Sequence, residues 1–586
     1  MEAPQRDNPQ RVNYLDRLRL RLAGRSALLQ LCLLGLAVGV LVGVLMLAFR
    51  GFVEGIQALI LPNGEPENYE GLPVELRWLL PPAGGALLAL LFIWVQPKRR
   101  QGGVVQVLER LAYHQGHMSS RTAFFEFLGA GVSLISGQSV GREGPSIHLG
   151  AAGGSVVGRH LRLPNNAVRT LVGCGAAGAI GAAFNTPLAG VIFAMEVVLM
   201  EYTIAGFAPI MLAAVGATAV THIAYGGSPA FEIPAIHPLP VMEMPLLIFV
   251  GAAIGGLSAL FNASAVRLAG LLKPLSLAIR FPLAGIMTGV LAVGAPAIMG
   301  VGYDTVNATM LGELGMLALL LTLFAKVVAT STAVGCNLPG GLIGPTLVIG
   351  ALAGGIASGL AQMILPEYAW QPAIYVLVGM AAMMAATLQA PLAGLMALLE
   401  LSGDTLLIFP GMLTVVTAVI VAREFFGQDS LLLQLMRARG LDYRNDPVAQ
   451  SLRRIGVASV METSIAQTSH EISLAKAQEL LDRAPRWLLL ESASEDDRRY
   501  LLAAADLARF VTSEENQKKP PQDVNLLKIP GVRMETVPIA FEATLQEARD
   551  LLLRREAQGV YVVRLHLGRR IYGVLTRESI ENAYAR

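Results

Sequence analysis

The sequence of 586 residues contains little charge, few cysteines and few aromatic residues. Charged residues make up 15% of it, whereas soluble domains carry about 25%, so an ordinary soluble protein is excluded. Cys32, Cys174 and Cys336 lie in apolar surroundings and are too few for a disulfide framework. The formal net charge of +2 is far from the strongly basic balance of nucleic-acid-binding proteins. We therefore expect no metal site, no required cofactor and no nucleic-acid partner.

The charges that are present collect towards the two ends of the chain. They are scarce between residues 27 and 425, whereas residues 437–586 are rich in Arg, Glu and Asp. This contrast predicts a membrane domain followed by a water-soluble domain. Arginines crowd residues 1–26 in front of an apolar run that is too long for a cleavable signal, and the basic stretch 97–100 follows a second apolar run. We expect a multi-pass protein of the cell (inner) membrane, lying in the lipid bilayer with both termini cytoplasmic.

These shifts in composition predict the domain boundaries. We expect a cytoplasmic segment (1–26), a transmembrane domain (27–440) with repeats at about 27–225 and 243–425, a linker (441–456), and two modules at about 457–513 and 532–586. Spanning helices are predicted at 27–49 and 79–96, separated by a loop outside the cytoplasm. Later apolar segments of the first repeat are broken by Gly and Pro, and each is predicted to fall short of a full span: Ala123–Ile135, Ser146–Val157, Asn166–Ile180 and Pro187–Met200.

A short motif occurs once in each apolar half of the chain. Gly141–Pro145 is followed by Pro-Leu-Ala-Gly from Pro187 and by Glu196, and Gly340–Pro345 is followed by Pro-Leu-Ala-Gly from Pro391 and by Glu400. Gly- and Pro-interrupted apolar segments at matching positions of two repeats indicate a transport site near mid-membrane. The sequence therefore predicts two related halves that share one site.

The chemistry of the motif is that of an anion site. Pro145 suits the first turn of a helix, and a helix N-terminus presents unpaired amides and a partial positive charge. In the second half, Leu342 and Ile343 would offer backbone amides in the same way. Glu143 is an acid within a membrane segment and is a functional candidate for that reason. It would compete with an anion when ionised and withdraw when protonated, so we interpret it as a gate.

The paired motifs resemble those of the chloride channel and transporter (CLC) family over residues 27–440, and the C-terminal modules resemble the CBS-domain pair often attached to that family. The resemblance implies an all-α polytopic membrane fold with inverted repeats and broken helices, plus a cytoplasmic α+β pair. It also implies a homodimer with one anion pathway per subunit, for chloride or a similar small anion. It identifies Glu143 as the outer gating glutamate and places the central anion against the amides of Leu342 and Ile343.

Two hydroxyl groups that the family places around the central anion are absent. The family motif Gly-Ser-Gly-Ile-Pro corresponds to residues 101–105, with Gly102 in the place of the serine, and the pore tyrosine corresponds to Leu432. Without these two hydrogen-bond donors, the hydration that the anion loses on binding is replaced less completely. We therefore expect weaker chloride binding. The predicted anion site comprises Gly102, Gly103, Arg142, Gly144, Leu342, Ile343 and Leu432, with Arg142 positioning the loop rather than binding chloride directly.

The inner proton site of the family's exchangers is also absent. Those proteins often carry a second glutamate at the position of Val197, and a valine cannot relay a proton. Our first hypothesis is therefore passive, channel-like flux, and the alternative is proton-coupled exchange by another route. Glu196 and Glu201 are candidates for that route, although Glu196 serves equally well as a cap or pairing partner. His148 and Lys326 are interpreted as structural.

The C-terminal modules each contain a predicted helix and a predicted β-run. The helices are expected at 474–481 and 545–553, and the strands at 487–490, 560–565 and 571–575. A CBS pair would offer a cleft for an adenine nucleotide. Ser579 follows Thr576 where the family usually has an acid, and Asp506 has the comparable place in the first module. Nucleotide binding at these residues is one hypothesis, and a purely structural role in dimerisation is the other.

Overall fold

The computed structural model describes residues 14–24, 27–96, 102–227, 231, 233–364, 371–442, 446–491, 499–514, 516, 521–564 and 570–585. These residues form two compact units. The larger unit contains the described residues of Leu31–Arg159 and Val168–Arg444, and the smaller unit contains those of Met1–Gln30, His160–Ala167 and Asn445–Arg586. The predicted basic stretch at 97–100 lies outside the described residues.

Helices dominate the first half of the chain. They are α1 (Tyr14–Ala23), α2 (Leu28–Ile60), α3 (Val74–Ile93), α4 (Gly103–Tyr113), α5 (Ser120–Ile135), α6 (Glu143–His160), α7 (Asn165–Phe184), α8 (Pro187–Phe193) and α9 (Ile204–Tyr225). A π-helical turn, Ala194–Leu199, continues α8. The loop between α2 and α3 is shorter than predicted, since α3 already begins at Val74 and contains Pro81 and Pro82.

The second half repeats this pattern of long and short helices. They are α10 (Met244–Leu272), α11 (Leu277–Gly294), α12 (Tyr303–Met310), α13 (Met316–Gly335), α14 (Ile343–Ile364), α15 (Pro372–Leu388), α16 (Pro391–Ser402), α17 (Ile408–Ile420) and α18 (Leu431–Ala438). Within the described residues, nine helices are long and apolar enough to cross a membrane. The protein is thus a multi-pass, mostly helical membrane protein. The prediction that Asn166–Ile180 falls short of a span is wrong, because α7 runs unbroken for 20 residues.

Equivalent glycines bring equivalent helices together in the two halves. A Cβ atom on Gly150 of α6 would lie 2.2 Å from the carbonyl oxygen of Gly175 on α7. In the second half, a Cβ on Gly350 of α14 would lie 2.3 Å from the carbonyl oxygen of Gly379 on α15. Both helix pairs can therefore approach closely only because glycine has no side chain at the contact, as is common between membrane helices. This correspondence supports the predicted internal repeat.

The two Pro-Leu-Ala-Gly helices cap one another across the repeat. The Glu196 carboxylate accepts hydrogen bonds from the amides of Leu392 (3.2 Å) and Ala393 (2.6 Å) at the start of α16. Glu400 accepts from the amides of Leu188 (3.0 Å) and Ala189 (2.6 Å) at the start of α8. Each acid satisfies first-turn amides that a helix cannot pair internally. Of the two alternatives for Glu196, the structure therefore supports the cap.

The smaller unit contains α1, a mixed sheet and its flanking helices. Its remaining helices are α19 (Pro447–Arg453), α20 (Leu474–Asp482), α21 (Ala504–Thr512), α22 (Leu545–Arg555) and α23 (Arg577–Ala585). The strands are β1 (Ile465–Thr468), β2 (Glu471–Ser473), β3 (Trp487–Leu490), β4 (Arg499–Ala503), β5 (Asp523–Asn525), β6 (Arg533–Ala540), β7 (Gly559–Val563) and β8 (Ile571–Thr576). Asp16 on α1 accepts a hydrogen bond from Arg564 at 2.9 Å, which holds the pKa of the Asp16 carboxyl below its ordinary value.

The sheet itself is built from two similar halves. Its strand order is β1-β3-β4-β6-β7-β8, and β2 pairs separately with β5. In each half two strands pair in parallel, β1 with β3 and β6 with β7. The second strand of each pair also pairs with an antiparallel strand, β3 with β4 and β7 with β8. The antiparallel pairing of β4 with β6 joins the halves. The predicted strand at 487–490 and helix at 545–553 are confirmed, and the region is a duplicated α/β unit.

The residues proposed to bind nucleotide have other partners in this unit. The Thr576 and Ser579 hydroxyls lie 3.0 Å apart, and the Ser579 amide donates to Thr576 Oγ1, so Thr576 caps α23. Asp506 accepts a hydrogen bond from Arg509 at 2.9 Å. Nucleotide binding at these positions stays a prediction.

Candidate functional site: the anion pathway

The two Gly-Pro loops meet backbone to backbone within the larger unit. The Gly141 amide donates to the Gly341 carbonyl (2.7 Å), and the Gly341 amide donates to the Gly141 carbonyl (2.6 Å). A Cβ atom on Gly341 would lie only 2.6 Å from the Gly144 nitrogen. Glycine is therefore required for this contact. The predicted meeting of the two motifs is confirmed.

Glu143 begins α6 and is completely buried, with 0% of its surface exposed. Its Oε2 accepts a hydrogen bond from the Gly344 amide at 2.9 Å, and its Oε1 accepts one from the Tyr303 hydroxyl. Since α14 begins at Ile343, Gly344 supplies one of the first-turn amides that have no partner within the helix. The carboxylate thus occupies the helix N-terminus that the sequence predicted for an anion.

Tyr303 is a site residue that no sequence motif singles out. It opens α12 behind Gly302, whose φ of 89° is the left-handed conformation that glycine adopts at little cost. Its ring packs against Phe184 and Phe231, with centroids 6.2 and 5.2 Å away. A tyrosine at a helix start is common, so only the packed structure reveals that its hydroxyl reaches Glu143.

A cavity of about 350 Å³ lies on one side of Glu143. We call it the inner cavity, because the predicted orientation places it on the cytoplasmic side. Three basic residues line it, Lys273, Arg280 and Arg439, together with one acid, Glu126. Excess positive charge in a cleft attracts anions. Six of the seven residues predicted to bind anion also line this cavity: Gly102, Gly103, Gly144, Leu342, Ile343 and Leu432.

The seventh residue, Arg142, lines a different cavity of about 350 Å³ on the other side. This outer cavity also contains Glu54, Glu67 and Tyr303. Arg142 lies 3.3 Å from the Glu54 carboxylate, and its guanidinium stands 5.3 Å from the centre of the Tyr303 ring. These contacts fit the expectation that Arg142 positions the loop. Burial raises the pKa of Glu67, in the loop before α3, to about 7.

Glu143 therefore separates the two cavities. Its neighbours in the chain, Arg142 and Gly144, line the outer and the inner cavity respectively, while Glu143 between them is fully buried. The buried carboxylate lies between residues of the two cavities and holds the Gly344 amide. An anion at this amide would have to take the place of the carboxylate.

The other residues singled out in the sequence, including the proton-route candidate Glu201, have surroundings or partners elsewhere in the fold. Val197 is buried in the π-helical turn, which packs against α4. Glu201 lies 3.5 Å from Arg169. His148 Nε2 is hydrogen-bonded to the Gln106 side chain at 2.6 Å. Lys326 donates to the carbonyls of residues 298, 300 and 301, which makes it a structural cap as predicted.

Two membrane repeats that join helix N-termini around a carboxylate, with a basic cavity on one side, define an anion-transport protein. Residues 84–423, more than half of the chain, match the family model described as voltage gated chloride channel. The chain belongs to this family, the CLC family, whose members transport anions and are not enzymes.

The relatives agree with this assignment, and solved structures share the fold. The chain is 31% identical to a putative chloride channel protein ClcB-like of Ralstonia nicotianae, over 64% of this chain and 90% of the relative. It is 31% identical to an H(+)/Cl(-) exchange transporter ClcA of Vibrio cholerae, over 52% of this chain and 67% of the relative. A slow cyanobacterial Cl⁻/H⁺ antiporter has a similar fold (TM-score 0.63, 22% identity, 70% of this chain and 97% of that one). A eukaryotic CLC transporter has a similar fold over 94% of this chain and 98% of its own (TM-score 0.60, 19% identity).

Replacing Tyr303 by Phe should favour the open gate. The substitution keeps the ring packing and removes the hydroxyl that donates to Glu143. A hydrogen bond to a charged group contributes about 1.5–3 kcal/mol, so the closed state should lose roughly a tenfold factor or more in population. We expect faster chloride efflux from vesicles at neutral pH. Phe231→Leu, which alters ring packing but leaves the hydroxyl, is the control, and an unchanged rate in Tyr303→Phe would contradict the assigned role.

Proposed function

We propose that the protein exchanges chloride for protons across the membrane, with Glu143 as the gate. The observation that supports this most directly is the complete burial of Glu143 between two cavities, on the amide of Gly344. Each passing anion must replace a group of its own charge, and protonation is the simplest way to neutralise that group. Movement of the anion and movement of a proton are then linked at one side chain.

The alternative is passive, channel-like flux. It is favoured by Val197, which cannot carry a proton at the position where family exchangers often have an acid. Against it stands the burial of Glu143 on the Gly344 amide, since a passive pore requires only a weak, multi-point anion site. The relatives cited above include both a putative chloride channel protein and exchange transporters. We favour exchange because of Glu143.

A vesicle experiment separates the two functions. The purified protein is reconstituted into chloride-loaded vesicles in low-chloride buffer, and external chloride and external pH are recorded together while a potassium ionophore clamps the voltage. For an exchanger, protons should enter the vesicles as chloride leaves, even against a proton gradient, in a constant ratio. Chloride efflux without uphill proton movement would establish the passive alternative instead.

We also propose a homodimer with one pathway in each subunit, in the cell membrane with both termini cytoplasmic. The duplicated α/β unit would be a CBS pair, with an adenine nucleotide as its candidate ligand at Asp506, Thr576 and Ser579. The repeated strand pattern of the two halves supports the pair. Titration of the purified protein with ATP, followed by its melting temperature, tests the ligand.

A further inference from the structure

A second buried carboxylate, Glu126, lies on the inner cavity. It is on α5 and is only 5% exposed. Its Oε1 accepts a hydrogen bond from the Gly103 amide at 3.1 Å. Its Oε2 lies 1.6 Å from the point where a side chain on Gly102 would begin. The carboxylate therefore fills the volume left free by the missing side chain at position 102.

The place of Glu126 resembles that of Glu143. Gly103 is the first residue of α4, so its amide belongs to a helix N-terminus, just as Gly344 belongs to the start of α14. Glu126 occupies one helix N-terminus and Glu143 the other. Both positions are favourable for an anion. The pathway thus has two points at which a carboxylate occupies a place that suits chloride.

The charges around Glu126 do not fix it in a dedicated ion pair. Across the inner cavity it faces Arg439, Arg280 and Lys273, and Glu109 on α4 interacts electrostatically with Arg439. No basic group within the described ranges lies within 4.0 Å of its oxygens. Arg439 donates to the Asn337 side chain instead. Helix α3 packs against α5, and no charged residue of its described part lines the cavity.

We propose that Glu126 is the inner proton-carrying carboxylate of the pathway, in place of the acid that is absent at Val197. The proposal rests on the exchange function proposed above. When ionised, Glu126 accepts the hydrogen bond of the Gly103 amide and repels chloride in the inner cavity. When protonated, it is neutral and leaves the helix N-terminus to the anion. Proton uptake from the inside therefore frees the inner helix N-terminus for a chloride ion that comes from the outer cavity, so the two ions move in opposite directions.

Proton transfer onward would run through water in the inner cavity. Glu126 and Gly144 line the same cavity, and Gly144 is the neighbour of Glu143. A volume of about 350 Å³ is far larger than the roughly 10–15 Å³ that one water needs. A proton from the inner solution forms an O–H bond on Glu126, leaves through this water, and forms an O–H bond on Glu143. No other covalent bond changes, and nothing is oxidised or reduced.

The test compares Glu126→Gln with the unaltered protein in the vesicle assay. Glutamine has nearly the same shape but cannot take up a proton, so we expect chloride flux to persist while proton movement per chloride falls at least tenfold. Glu109→Gln is the matched control, because Glu109 is a nearby acid outside the cavity lining, and it should keep normal coupling. If the unaltered protein moves no protons uphill, the proposed exchange function fails. If it does so and Glu126→Gln couples equally well, only the role of Glu126 fails.

A second pair of variants tests the proposal even if Glu126→Gln does not fold. Gly102→Ser alone should disturb transport, because its side chain would collide with the Glu126 carboxylate. Combining it with Glu126→Ala provides space for the serine, so the double variant should transport chloride without proton coupling. Persistence of coupling in the double variant would overturn the proposal. Loss of chloride flux in both Glu126→Gln and the double variant would also overturn it, since Glu126 would then be needed for anion passage itself.

Discussion

Glu143→Ala should abolish proton movement and leave a chloride flux that no longer depends on external pH. The substitution removes the buried carboxylate between the two cavities and frees the Gly344 amide for chloride. No titratable group then separates the outer from the inner cavity. Because an ionised carboxylate and chloride compete for the same helix N-terminus, the anion should also bind more tightly. We expect the proton flux per chloride to fall to background in the vesicle assay, and calorimetric chloride affinity to rise.

Two further variants make this result specific. Glu143→Gln keeps the size of the side chain and should also lose proton movement, but with slower chloride flux than Glu143→Ala because the path stays narrow. Glu54→Gln, in the outer cavity beside Arg142, should retain coupling. Proton movement that survives in Glu143→Ala would refute the assignment of Glu143 as the gate.

Gly341→Val should prevent the two repeats from meeting. A Cβ at this position would lie 2.6 Å from the Gly144 nitrogen and 2.9 Å from the Gly141 carbonyl oxygen, and both are backbone atoms. The two hydrogen bonds of the Gly141–Gly341 bridge would have to break or lengthen. Overpacking of this kind costs about 1–3 kcal/mol and sometimes more. We expect a lower melting temperature in detergent and chloride flux near background.

A matched glycine shows whether this effect is specific to position 341. Gly55 lies in α2, and no atom comes within 4 Å of a Cβ built on it. Gly55→Ala should therefore fold normally and transport chloride at the normal rate, since alanine suits a helix better than glycine. Normal flux in Gly341→Val would contradict the view that the pathway depends on this backbone contact.

The sequence determined the character of the protein to a large extent. Uneven charge indicated a membrane domain and a polar domain, and the doubled Gly-Pro motif indicated two halves with a shared anion site. These features are local, since apolar length and the backbone requirements of Gly and Pro act within a few residues. For the same reason Glu143 could be selected directly from its position in the motif. The cap formed by Glu196 was only one of the open alternatives.

Only the tertiary structure decided which side chains complete the site. Tyr303 reaches Glu143 from 160 residues away, and Glu126 reaches Gly103 from the following helix. No periodicity or motif encodes such contacts, because they arise where helices from distant parts of the chain cross. The sequence alone showed a glycine where the family has a serine and a valine where its exchangers often have an acid. Packing filled the first of these spaces with a carboxylate, because the Glu126 side chain on α5 reaches the start of α4 at the glycine that leaves room for it.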